Sequence, residues 1–149
     1  MKRLLCVFLI AAVLCGCAAP QEADSKFTFT DDLGFEVRLQ SWDRVVSLYG
    51  SFAETWLLAG GSLVGATQDA VTERELSLGE DVAIVGSVKE PNLEKIIAAE
   101  PDFVILSADT AGQVKLHDAL TQAGIPHAYY QVDSFAQYLA MLDQFCTLT

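Results

Sequence analysis

A chain of 149 residues with nine Lys and Arg against twenty Asp and Glu carries a formal charge of −11. Nucleic acid and bare anionic membrane surfaces are excluded as partners, because binding to either rests on basic side chains that neutralise phosphates. The length allows one domain with a real core after any leader is removed, and not two.

Lys2 and Arg3 open the chain, an apolar run follows from Leu4 to Leu14, and Leu14-Cys15-Gly16-Cys17 closes it. A basic start, a short apolar core and small residues at the end predict a secretory signal peptide over residues 1–16. A membrane-spanning helix would need about 20 apolar residues, and polarity returns at Gln21-Glu22. The ending Leu-x-Gly-Cys resembles the lipobox of bacterial lipoproteins, which implies lipid on Cys17 and attachment to the membrane through that lipid only. Such anchoring becomes stable once more than one acyl chain is attached. The alternative is an ordinary signal peptide in which Cys17 is a small apolar residue like Cys6 and Cys15. Residues 17–26 then form a polar tether, and loss of Lys2 and Arg3 takes the mature charge to −13. Cys17 and Cys146 are too few for a disulfide framework. The chain is expected on the extracytoplasmic side of the cell membrane, in a periplasm or at a cell surface.

Phe27-Thr28-Phe29-Thr30 and Phe35 to Leu39 alternate apolar and polar residues around Asp31-Asp32-Leu33-Gly34, which predicts a β-hairpin. From Val45 the pattern changes to short apolar runs: 45–48, 63–66, 82–85, 103–106 and 128–132. Runs that are apolar throughout predict strands buried on both faces, as in a parallel sheet covered by helices. Between them, Ser51-Phe52-Ala53-Glu54 reads as a capping box opening a helix that stops at Gly60-Gly61. Asn92 caps a helix with Leu93, Ile96 and Ile97 inward. Gly112 to Ala123 reads as a third helix, ended by Gly124 and Pro126. Ser134-Phe135-Ala136-Gln137 is a second capping box, continued by Tyr138, Leu139, Leu142 and Phe145. Strands alternating with helices predict an α/β fold, a doubly wound parallel sheet with flanking helices and an N-terminal hairpin. The last helix is still running at Thr149, without glycine, proline or a basic final turn, so the chain is expected to stop inside an element.

Catalysis finds little support. His117 and His127 have no cysteine, carboxylate pair or histidine at metal-ligand spacing, and solvated or structural roles are expected for both. The sequence holds no Gly-x-Ser-x-Gly elbow, phosphate loop or dinucleotide fingerprint. Cys146 lacks a basic neighbour and reads as an apolar side chain. Binding is therefore expected in place of catalysis. In open parallel sheets ligands collect outside the carboxyl ends of the strands. There the sequence places Tyr49, Gly50 and Ser51, then Thr67, Gln68 and Asp69, then Ser87 and Lys89, then Ser107. One aromatic, several hydroxyls and a cation suit a sizeable polar or aromatic ligand held by stacking and hydrogen bonds, although each residue alone also fits ordinary loop chemistry.

The ordered set of segments carries a resemblance. Phe29 to Val37, Arg44 to Leu48, Ala53-Glu54 through Gly60, Leu63-Val64-Gly65, Val85-Gly86, Pro91 to Ile96, Pro101 to Ile105 and Ala123 to Pro126 together resemble the N-terminal lobe of the iron-siderophore, haem and cobalamin substrate-binding proteins of ABC importers. That family is bilobed, with two α/β lobes joined by one long helix and the ligand held between them. The resemblance implies an N-terminal lobe over residues 27–133, the start of the interlobe helix over 134–149, and a second lobe missing from this sequence. Half a cleft is expected to bind weakly, because ligand sites enclose most of the ligand surface. The resemblance further implies that Glu94 docks onto arginines of the permease, and that the ligand is a ferric siderophore, with haem or cobalamin as alternatives. Tyr49 stands where relatives usually carry a Ser-Pro-Ser turn; it could stack on a ligand, ligate haem iron as a phenolate, or cap the core. No resident metal is expected. The rivals are a single-lobe surface sensor or scaffold, and an exported hydrolase whose catalytic residues lie past Thr149.

Overall fold

A computed structural model describes residues 25–149. The expected signal peptide, Cys17 and all but the end of the tether lie outside the described residues.

The alternating segments pair as the antiparallel strands β1 (Phe27–Thr30) and β2 (Glu36–Leu39). Val37 and Leu39 are buried, and Phe27 and Phe29 pack against the same core. The turn between them is fixed by Asp31, whose carboxylate accepts the N–H groups of Leu33 (3.1 Å), Phe35 (2.8 Å) and Tyr129 (3.0 Å).

The apolar runs form β3 (Val45–Ser47), β4 (Leu63–Ala66), β5 (Ala83–Ile84), β6 (Phe103–Ser107) and β7 (His127–Tyr130). They build one parallel sheet in the order β5-β4-β3-β6-β7. The open edge of β7 is met by the hairpin turn: Asp32 N–H donates to Tyr129 O (3.0 Å) and the Asp32 carboxylate accepts Gln131 N–H (2.7 Å). An occupied edge is protected from pairing with another chain.

Strand periodicity divides the core into two layers, since successive side chains point to opposite faces. Val45, Phe103, Ile105, Ala128 and Tyr130 face one side; Val46, Val104, Leu106 and Tyr129 face the other. The first side is covered by α1 (Gly50–Leu58) and α6 (Phe135–Leu148), the second by α3 (Leu93–Ala98) and α5 (His117–Gln122). Two single turns, α2 (Asp69–Thr72) and α4 (Ala111–Val114), complete the set. Among the described residues no helix is long and apolar enough to cross a membrane.

The caps at Asn92 and Ser134 form. Asn92 Oδ1 accepts Lys95 N–H at 3.0 Å. Ser134 Oγ accepts Gln137 N–H at 3.3 Å, while Gln137 Oε1 accepts Asp133 N–H and the Ser134 hydroxyl, both at 2.9 Å.

Four local expectations are corrected. Helix α1 starts at Gly50 with Tyr49 at the cap position and no side-chain cap bond, so Ser51 lies inside the first turn. The expected helix over 112–123 is broken into α4 and α5, because the Tyr129 hydroxyl donates to the carbonyls of Gln113 (3.2 Å) and Val114 (3.4 Å) that a continuous helix would use itself. Ile97 is 43% exposed and Leu139 45%. The six-residue α3 buries Ile96, and α6 turns Met141, Phe145 and Leu148 inward instead. Cys146 sits exposed on the outer side of α6 as a free thiol.

Candidate functional site

The strand order creates a crevice. Strands β3 and β6 are neighbours, but β3 leads through α1 to β4 on one side and β6 leads through α4 and α5 to β7 on the other. Loops leaving adjacent strands in opposite directions part from each other, which is where ligands bind in open α/β sheets. Here a groove of about 980 Å³ opens between the turn after β3, with Tyr49 and Ser51, and the turn after β6, with Ser107, Asp109 and Thr110. Its apolar wall comes from Leu57 and Leu58 of α1, Val132, and Tyr138 and Met141 of α6. A second hollow of about 360 Å³ shares Tyr49, Ser51 and Arg74 with it and adds Asp69, Glu73 and Lys89.

Of the residues singled out in the sequence, Tyr49, Ser51 and Ser107 line the groove, and Asp69 and Lys89 line the hollow beside it. Gly50 lies behind them. Its N–H donates to Asp69 Oδ2 at 2.6 Å, and a Cβ there would stand 2.7 Å from that oxygen and 2.9 Å from Ala70 N. The carboxylate thereby does from 19 residues away what an N-cap side chain does locally. Thr67 is buried beneath the surface with its hydroxyl unpartnered, and Asp69 Oδ1 is likewise buried and unpartnered. Gln68 and Ser87 are exposed and line neither hollow. The Ser87 hydroxyl accepts Glu90 N–H at 3.1 Å and so holds its own turn. Glu94 is exposed in the first turn of α3, away from these walls.

Tyr49 stacks obliquely on Phe52, with ring centroids 5.0 Å apart. Phe52 packs edge-on to Tyr130 at 6.2 Å. One side of the phenol is therefore backed by the core while the other borders the groove. Burial holds the Tyr130 hydroxyl far above the ordinary phenol range, with Asp32 and Asp31 adding to the effect, so it stays neutral. The cations of the site are Lys89 and Arg74, set against Glu54, Asp69, Glu73 and Asp109. Arg74 Nη1 lies 3.6 Å from Glu54 Oε2.

Sequence reasoning missed Arg74, which reaches the site only because the chain after α2 folds back against α1. It also missed Gln113. The side chain of Gln113 is fully buried: Nε2 donates to Leu48 O (2.7 Å) and Val88 O (3.0 Å), and Oε1 accepts Ser107 N–H (2.7 Å). One amide thus ties together the turns after β3, β5 and β6. Gly112 lets it approach, since a Cβ at that position would lie 2.1 Å from Lys89 O. The only sequence signal was a polar residue beside a glycine within an otherwise apolar helical stripe.

The two histidines, which the sequence does not set at metal-ligand spacing, meet in the structure. His117 Nδ1 lies 3.0 Å from His127 Nε2, at the opposite end of β7 from the groove. Burial, more than any neighbouring charge, holds the His127 imidazole below its usual range.

Comparison with known proteins agrees with this fold. YhfQ of Bacillus subtilis (strain 168), which carries the name of an ABC transporter substrate-binding lipoprotein, is 29% identical over 126 residues, covering 78% of this chain and 38% of its own length. The crystal structure of the iron uptake ABC transporter substrate-binding protein PiuA from Streptococcus pneumoniae (Canada MDR_19A) superposes with a TM-score of 0.66 at 26% identity, over 85% of this chain and 45% of PiuA. A variant of the heme binding protein HmuT shares the fold with a TM-score of 0.68 at 20% identity, over 85% of this chain and 40% of HmuT. The chain therefore spans less than half the length of each of these relatives. Residues 45–149, well over half of the chain, match the sequence pattern of periplasmic binding proteins. This chain belongs to the periplasmic binding protein family, a family of binding proteins and not of enzymes.

Proposed function

We propose that this chain is the N-terminal lobe of a lipid-anchored substrate-binding protein of an ABC importer, and that it captures a ferric siderophore-type chelate. The observation that carries this reading is the groove at the parting of the β3 and β6 loops, with Tyr49 backed by Phe52 on one wall and the apolar surface of α1 and α6 on the other. A ligand of mixed aromatic and polar surface finds there a ring to stack on, three hydroxyls at Ser51, Ser107 and Thr110, and two cations nearby. PiuA, named for iron uptake, supports the ligand class; YhfQ, named as a lipoprotein, supports lipid on Cys17 and an extracytoplasmic position. Residues 27–133 would form the lobe, and α6 would begin the helix leading to a second one, which would close the cleft over the groove.

Haem is the second reading. Tyr49 favours it, because a phenol at the groove wall is a possible iron ligand, and HmuT shares the fold. Cobalamin stands beside haem as the other alternative.

Glu94 is assigned to permease docking. It is exposed at the start of α3, beside a cap that fixes the helix end, and is free of the groove. Import of a ferric siderophore by cells carrying a full-length version tests the reading. Glu94→Arg is expected to reduce uptake at least tenfold without changing ligand affinity, whereas Tyr49→Ala is expected to weaken affinity about tenfold, the loss of one stacked ring. Uptake unchanged by both substitutions would overturn it.

A further inference from the structure

The histidine pair lies outside everything assigned above. His127 Nδ1 is 2.9 Å from Ile125 O. A carbonyl only accepts, so this nitrogen carries the hydrogen and Nε2 keeps its lone pair. That lone pair points at His117 Nδ1, 3.0 Å away. The His117 ring is in turn clamped by Phe35, stacked with a centroid separation of 3.9 Å and an interplanar angle of 17°. Two imidazole nitrogens therefore converge while both rings are held from behind, one by a backbone carbonyl and one by an aromatic face.

We propose that His117 and His127 form a binding site for a borderline divalent transition-metal ion, Zn(II) or Ni(II), at the amino-terminal end of β7. An imidazole whose remote N–H is fixed by a backbone carbonyl is oriented as metal-ligating histidines are, and neutral imidazole suits these metals. Metal–nitrogen bonds of about 2.0–2.1 Å place two tetrahedral ligands about 3.3 Å apart. The pair therefore needs to open by a few tenths of an ångström and each ring to turn by roughly 35°, so that both lone pairs meet at the ion instead of lying along the nitrogen–nitrogen line. In the metal-free state the His117 Nδ1 hydrogen fills the gap. On binding it moves through solvent to His117 Nε2, and both rings stay neutral. A hollow of about 340 Å³ beside the pair, bordered by Glu36, Arg38 and Thr121, leaves room for water in the remaining coordination positions. Among the described residues no third histidine, cysteine or carboxylate completes the set, so this is an exchangeable two-nitrogen site, and it stands apart from the groove at the other end of the sheet.

Calorimetric titration of the full chain with zinc chloride and nickel chloride, alongside NMR of the histidine rings, tests this. One metal per chain is expected, with both rings perturbed together. His127→Ala and His117→Ala should each weaken binding at least tenfold. His117→Phe, which keeps an aromatic ring on Phe35, should do the same with thermal stability retained. Rings unperturbed at millimolar metal, or affinities within about twofold of the unsubstituted chain in all three variants, would overturn the proposal and place any bound metal elsewhere, Cys146 included.

Discussion

Replacing Gln113 with leucine is expected to lower stability by about 3 kcal/mol, because three buried backbone groups lose their partner together and each such loss costs about 1–3 kcal/mol before relaxation. The three groups are Leu48 O, Val88 O and Ser107 N–H, all within 3.0 Å of the Gln113 amide. Leucine fills nearly the same space, so the loss isolates hydrogen bonding from packing. Gln113→Glu should be worse than leucine. Its carboxylate can still accept from Ser107, but it faces two carbonyl oxygens at the distances where Nε2 now donates, and it carries a charge into a fully buried position. For a domain of this size about 3 kcal/mol corresponds to a melting temperature lower by roughly 10 °C, measurable by circular dichroism. The order Gln above Leu above Glu is the test; a leucine variant that melts with the unsubstituted chain would show that the amide fastens nothing. Since the same amide holds the turns on both sides of the groove, ligand affinity should fall even at temperatures where the leucine variant is folded.

Truncation of Trp56 to alanine is expected to cost about 4 kcal/mol, the range for removing a large aromatic from a packed core. Trp56 is fully buried on α1. Its ring meets Phe103 of β6 edge-on at 6.4 Å and Phe145 of α6 edge-on at 5.2 Å, and Nε1 donates to Ser62 O at 2.9 Å. The fit is close enough that a Cβ on Gly61 would stand 2.3 Å from the indole. Trp56 is thus one of two aromatic supports through which α6 rests on the sheet, the other being Tyr130 of β7, edge-on to Phe145 at 5.2 Å, and its loss should loosen α6 before the strands open. Denaturant unfolding gives the total, and amide exchange along residues 135–148 reports the local effect. Trp56→Phe, which keeps an edge-on ring but forfeits the Ser62 bond, should cost about half as much. Equal stability of the alanine variant would contradict this account of how α6 is held.

Much of the architecture was legible because it rests on local rules. Val45 to Ser47 and Phe103 to Ser107 are buried throughout and apolar up to their last serine since both faces of the sheet are covered, and that pattern needs no knowledge of partners. Asn92 and Ser134 cap their helices with residues three positions away. What failed depended on distant groups. The first turn of α1 is held by Asp69 rather than by Ser51, so the helix begins at Gly50. The break between α4 and α5 is made by the Tyr129 hydroxyl, on a strand not yet reached at that point in the chain. The site divides the same way. The strand-end rule places Tyr49, Ser51, Asp69, Lys89 and Ser107 around one crevice because topology alone decides it. Whether a loop residue then faces the crevice is settled by its own turn, which sinks Thr67 and occupies Ser87. Arg74 and the meeting of His117 with His127 are tertiary facts with no local trace, and Gln113 left only the glycine beside it.

Hydrogen exchange with and without a ferric siderophore tests the central claim most directly, namely that the ligand sits where the β3 and β6 turns part. Slowed exchange is expected at the amides of residues 49–52 and 107–110, extending to 88–89 across the smaller hollow, with the His127 end of the sheet unchanged. Protection confined to that far end, or no change anywhere with ferric siderophores and haem at saturating concentration, would contradict it.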